Sequence, residues 1–231
     1  MCRLLAAASA LAVAFALVGC DGGAPEGDES PTRSPSATAG PLDRLPAPIR
    51  AFLHNDPEHP FGEPGDDAPP ENDFFAALVG VWSCKLRFEE ASGVFRYGFP
   101  STWSFKYSAG GFAIEHLYYQ RENDLVPPFA SLGRDFHSQA STLYDPAEQA
   151  WRFVGVSNLA GTDIAPATQA MTGQVEADVL TLEPDVQQGE LYTRDTFHDI
   201  EADDFVWTQY ESRDQGTTWA EAVSIVCQRK I

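Results

Sequence analysis

From Phe74 to the C-terminus the chain is written in short segments of alternating polarity, separated by turn residues about every ten positions. Successive side chains of a strand point to opposite faces, so this rhythm predicts an antiparallel all-β fold with one packed and one wet face. The predicted strands are Trp82–Phe88, Thr102–Tyr107, Phe112–Tyr119, Ser141–Tyr144, Trp151–Ser157, Ala167–Thr172, Asp178–Leu182, Leu191–Phe197, Phe205–Ser212 and Ala222–Arg229. A helical turn over Asp73–Leu78 precedes them, and no later stretch sustains a 3.6-residue period. Ala109-Gly110-Gly111 and Tyr144-Asp145-Pro146 supply turn chemistry between neighbouring strands, which makes the hairpins sequential. Trp82, Cys84, Leu86 and Phe88 share one face, as do Trp103, Phe105 and Tyr107.

The two ends of the chain differ from this middle. Residues 1–19 read as an export leader, with Arg3 ahead of an apolar run from Leu4 to Val18 that is short for a membrane span. Leu17-Val18-Gly19-Cys20 resembles the lipobox of bacterial lipoproteins, which implies cleavage before Cys20, lipid on its sulfur and a membrane-tethered, periplasmic place in the cell envelope. Residues 20–72 are rich in Gly, Pro, Ser and acids and read as a flexible linker, with a short helix over Ile49–His54. The folded domain is then expected over 73–231. His54, Asp56, Glu58, His59, Glu63, Asp66, Asp67 and Glu71 in the linker show no recurring ligand spacing and read as solvated charge, so no metal site is assigned.

The chain has 34 Asp and Glu against 15 Lys and Arg, a net charge of −19, and loss of Arg3 with the leader makes it more negative still. Such a surface repels phosphate backbones, which excludes nucleic acid as a partner and leaves a basic envelope protein as one. The hydrophobic fraction of 43% with 12% aromatics suits a packed core that needs no cofactor.

Once Cys2 leaves and Cys20 is acylated, Cys84 and Cys227 remain, near the start of the first strand and the end of the last. In a closed up-and-down barrel those positions adjoin, and an oxidising compartment permits a disulfide; two separate buried thiols are the alternative.

Gly80-Val81-Trp82, placed at the first strand after a helical turn, resembles the Gly-x-Trp of lipocalin-like barrels, and the span Phe74–Ile231 is similar to lipocalin-like domains of exported bacterial proteins. The resemblance implies a barrel whose Trp82 plugs one end and whose interior binds or carries a small hydrophobic molecule. The count of ten strands departs from the eight of the standard lipocalin plan. Ser212-Arg213-Asp214-Gln215-Gly216-Thr217-Thr218-Trp219 resembles the Asp-box of sialidases and other propellers, where Ser and Asp brace a hairpin, Gly supplies the backbone angle and Trp packs beneath. One copy implies the turn and not the sialidase activity.

Catalytic signatures are sparse. P-loop, Rossmann, H-E-x-x-H and C-x-x-C patterns do not occur, and Gly155-Val156-Ser157-Asn158-Leu159 lacks the closing glycine of a nucleophile elbow. The acids Asp199, Glu201, Asp203 and Asp204 lack the order of a calcium loop and read as a solvated turn. His116 falls on the face of Phe112, Ile114 and Tyr118, and reads as a satisfied lining group rather than a catalyst or haem ligand. Arg194 shares a face with Tyr192 and points either inward, to orient an anion, or outward. Trp103, Tyr107, His116, Tyr118, Arg194 and Trp207 are thus the candidates to line a ligand cavity. The readings that stay open are a small-molecule binder, a ligand-free module that presents an acidic barrel to an envelope protein, and a cavity hydrolase or isomerase in which Glu115, His116 and Arg194 would have to converge.

Overall fold

The computed structural model describes residues 40–53, 58–89, 95–125, 132–158, 168–187 and 190–231. The leader, Cys20 and the first half of the acidic linker lie outside the described residues, as do His54 and Asp56.

Ten strands form one closed antiparallel barrel: β1 (Gly80–Glu89), β2 (Phe95–Ser108), β3 (Ala113–Gln120), β4 (Phe136–Asp145), β5 (Ala150–Ser157), β6 (Thr168–Glu176), β7 (Val179–Pro184), β8 (Tyr192–His198), β9 (Asp204–Ser212) and β10 (Ala220–Arg229). Each strand pairs with its chain neighbour, and β10 returns to β1 to close the cylinder, so no edge is left unpaired. The architecture is the all-β, up-and-down barrel that the alternation predicts. The closing seam sets Trp82 opposite Arg229 and Cys84 opposite Cys227. Cys84 and Cys227 are joined by a disulfide across that seam, both sulfurs inside the barrel.

Two short helices, α1 (Ala47–Leu53) and α2 (Asp73–Ala76), complete the unit. α2 caps one end of the barrel. Phe75 and Leu78 are wholly buried there, with the Phe75 ring 5.0 Å from Trp151 and 5.7 Å from Phe197. Trp82 fills the same end: its indole N–H donates to the Leu78 carbonyl at 2.7 Å, and Phe205 meets it edge-on. The Arg229 guanidinium lies 4.2 Å over the Trp82 ring and donates to the carbonyls of Ala77, Val79 and Ala202, tying helix, first strand and last strand together. Gly80 is required at this junction: its φ is 141°, and a Cβ would come within 2.6 Å of the Ile231 carbonyl oxygen.

The compact unit begins at Ala39, not at Asp73 where composition places the boundary. α1 lies on the outer face of the barrel, where Leu45, Ile49, Phe52 and Leu53 are buried against Val81, Leu117 and Tyr119. Ile49, Phe52 and Leu53 form the apolar stripe of α1, and Leu45 packs beside it from the extended residues before the helix. Lys106 fastens it, donating to the Phe52 carbonyl at 2.7 Å with Glu115 at 3.7 Å. Further along, the Tyr107 N–H donates to the Phe61 carbonyl. Residues 40–53 and 58–72 are therefore part of the domain, and the linker reading is kept for residues 20–38.

The Asp-box segment folds as a braced turn between β9 and β10. Ser212 Oγ donates to Asp214 and accepts from the Gly216 N–H at 2.8 Å, while Asp214 also accepts from the Thr218 N–H and hydroxyl at 2.8 and 2.7 Å. The Thr218 hydrogen bonds, then that of Ser212, hold the Asp214 carboxyl down to about 2. Gly216 takes a φ of 85°, a left-handed conformation that suits glycine.

Candidate ligand site at the open end of the barrel

The two ends of the cylinder are built differently. At the α2 end the connections are short, covering residues 109–112, 146–149, 177–178 and 199–203; at the other end they cover 90–94, 121–135, 158–167, 185–191 and 213–219. Toward the α2 end, Trp82, Phe105, Ile114, Leu180 and Phe205 are 0% exposed, so no water-sized void touches them. That half is filled by the protein itself. Toward the opposite end, inward-facing Phe99, Phe136, Phe153, Trp207 and Val223 pack on the core yet stay only half-buried. At this end the inward rings are left partly exposed.

The Trp103 indole divides the two halves. Its ring reaches across the lumen to Phe197 at 5.7 Å and Trp207 at 6.2 Å, and meets Tyr118 edge-on at 5.4 Å. Trp103, Tyr118 and Trp207 are thus brought together at the floor of the open half.

The other three predicted lining residues have different places. His116 lies beneath Trp103, stacked on Phe105 at 5.1 Å and 4% exposed. Its Nδ1 accepts from the Trp103 indole N–H at 3.1 Å, which puts the ring proton on Nε2, 3.4 Å from Thr142 Oγ1. Burial drives its pKa down to about 3, so the ring is neutral with both nitrogens engaged. Tyr107 lies at the closed end, where burial and then Asp73 raise its pKa. Arg194 faces outward, which resolves its two readings: its guanidinium stacks 4.3 Å over Trp219 of the Asp-box turn and 5.2 Å from Tyr210. It borders an outer groove of about 720 Å³ with Thr172, Thr181, Glu183 and Asp185. Glu115, also outside, faces Lys106, so Glu115, His116 and Arg194 do not converge.

Polar groups that sequence reading passed over occupy the open half. Asp195 is 7% exposed and accepts from the Gln209 side-chain amide at 3.1 Å. Desolvation pushes its carboxyl up to about 7, with Gln209 opposing that rise only in part. Ser101 and Tyr118 are 8% and 6% exposed; their hydroxyls neighbour one another, and among the described residues no other group is placed to bond Ser101 Oγ or Tyr118 Oη. Burial raises the Tyr118 phenol, the neighbouring Ser101 hydroxyl offsetting part of that rise. The signal for these residues was their parity: Ser101 is two residues from Trp103, and Asp195 two from Phe197, each on the inward face.

Among the described residues no cluster of His, Cys, Asp and Glu is placed to hold a metal ion. No protein-family model matches the chain, and no curated protein matches it. Two solved structures are similar in outline. The Rv2717c protein of M. tuberculosis is 13% identical, covering 71% of this chain and 99% of its own, with a TM-score of 0.46. The S-type phycobiliprotein lyase of Guillardia theta is 13% identical, covering 69% and 91%, with a TM-score of 0.43.

Proposed function

We propose that the chain is a lipid-anchored exported protein whose barrel binds a small, largely apolar molecule at its open end. The observation that carries the binding is the ring of half-buried inward aromatics, Phe99, Phe136, Phe153 and Trp207, above a floor of buried Trp103. The filled lower half limits the ligand to the upper half of the lumen. The lipobox at Leu17–Cys20 supports cleavage and acylation at Cys20, and residues 21–38 then serve as the tether to a membrane of the cell envelope.

Full-length chain expressed in a bacterium tests both parts. The intact mass of the purified protein is expected to lack residues 1–19 and carry a diacylglyceryl group. Solvent extraction is expected to release a stoichiometric apolar molecule, or the emptied protein to take up an apolar fluorophore. An empty extract together with no fluorophore uptake would refute the binder.

One observation favours the second reading, an envelope protein-interaction module: Val154 and Val156, each 53% exposed, and Leu143, 40% exposed, stand on the outer face of β4 and β5. Aspartate at Val154 and Val156 would abolish capture of a partner under that reading and leave apolar-probe binding intact.

A further inference from the structure

Among the described residues, the hydroxyls of Ser101 and Tyr118 are the two inward-facing polar groups of the open half that have no hydrogen-bonding neighbour beyond each other. Both residues are more than nine-tenths buried, and their strands β2 and β3 are adjacent, with Trp103 paired to Tyr118 and Ser101 one pleat further toward the open end. A buried donor with no acceptor costs about as much as a lost hydrogen bond, so such pairs are kept where something else completes them. We propose that Ser101 Oγ–H and Tyr118 Oη–H together hold a neutral oxygen of the bound molecule, a carbonyl or ether oxygen on a flat apolar body.

Three observations fix that chemistry. The walls beside the pair are aromatic: Trp103 lies 5.4 Å and Phe136 5.9 Å from the Tyr118 ring, which suits a flat conjugated frame. Two adjacent hydroxyl donors match an oxygen with two lone pairs, and the burial that raises the Tyr118 phenol keeps it protonated and donating. The described cationic side chains of the strands point away from the pair. Among the described strand residues, Lys85, Arg87, Lys106, Arg152 and Arg194 all alternate with inward positions and lie on the outer face, and Arg229 is at the closed end. Among the described residues, the deeply buried ionisable group of this half is the Asp195 carboxyl, which repels anions once it is ionised. A carboxylate or phosphate oxygen set against the two hydroxyls would be desolvated with only those two donors to offset the cost.

This inference rests on the open end being a binding site, and the experiment separates the two. The processed full-length protein is titrated with 2-acetonaphthone, 2-ethylnaphthalene and 2-naphthoate, following quenching of tryptophan fluorescence. The ketone and hydrocarbon have nearly the same shape and differ in the oxygen. We expect the ketone to bind about tenfold tighter than the hydrocarbon, the worth of two modest hydrogen bonds, and the naphthoate weakest of all. Tyr118→Phe and Ser101→Ala are each expected to cut the ketone preference to about threefold, and the double variant to abolish it. Unchanged hydrocarbon affinity in every variant reports an intact fold and site. Equal binding of ketone and hydrocarbon, which is the result if ordered water alone satisfies the hydroxyls, overturns the inference while leaving the binding site standing. Ketone preference that survives the double variant, or tighter binding of the naphthoate, overturns it as well. Failure of both neutral probes to bind overturns the binding site itself and the inference with it.

Discussion

The replacement Asp195→Asn exposes the cost of placing a carboxyl inside the barrel. The side chain is 7% exposed, and its single hydrogen bond comes from Gln209. Burial moves its titration from the ordinary 3.8 to about 7. Between those pH values the folded protein holds a proton that the unfolded chain has released. Stability from this residue is therefore fully present below pH 4, declines as pH rises through 7, and stays low above it. At about 1.4 kcal/mol per pH unit, the whole interval is worth at most about 4 kcal/mol. Asparagine keeps the shape and the acceptor for Gln209 but has no proton to lose. The variant should match wild type at pH 4 and exceed it at pH 8 by about 2–4 kcal/mol, which is roughly 5–12 °C in melting temperature for a domain of this size. Urea melts at several pH values, read as the difference between variant and wild type, cancel the contribution of every other acid. A difference that does not change between pH 4 and pH 8 would refute the argument, because it would mean that the carboxyl ionises in the fold as easily as in water.

Three further changes probe the frame around the site. Cys84→Ser with Cys227→Ser removes a cross-link spanning 143 residues, and loop-closure entropy sets the expected loss at about 5 kcal/mol, read by denaturant melts beside a mass two hydrogens heavier on reduction of the native chain. Ile49→Ala on α1, wholly buried against the outer barrel, should cost about 2–4 kcal/mol; a loss below about 0.5 kcal/mol in the same melts would mean that residues 40–53 do not pack there. His116, held neutral down to about pH 3, should show one unchanging imidazole NMR signal with the proton on Nε2 from pH 8 to pH 5. Because the unfolded chain takes up that proton first as pH falls below 6.5, the residue lowers stability progressively between pH 6.5 and pH 3.

What the sequence discloses here is whatever a period of two can carry. Alternation marks all ten strands, the inward parity of Trp82, Trp103, His116 and Tyr118, and the chain-neighbour pairing, because each of these is local. The helix of α1 is local too and is expected over Ile49–His54, but its Ile49, Phe52 and Leu53 sit among prolines and acids, and composition averaged over the stretch assigns it to the linker and hides its packing on the barrel. Arg194 shows where parity by itself is not enough: with Tyr192 it forms a consistent face, and only the neighbouring register, in which Asp195 and Phe197 pair inward with Gln209 and Trp207, decides that this face is the outer one.

The site itself depends on distances that alternation does not encode. Ser101 and Asp195 can be assigned to the lumen from parity, as polar residues on an apolar face. What sets the surroundings of each is the Trp103 indole, which spans from β2 to Phe197 and Trp207 on the far wall. That single crossing separates a lower half with no room for a guest from an upper half lined by half-buried rings. It also puts His116 on the sealed side, where a satisfied imidazole is a packing group, and Tyr118 on the open side, where its phenol is the group proposed to meet the bound molecule. Two residues apart on one strand and facing the same lumen, they differ in role because of a ring contributed by the neighbouring strand.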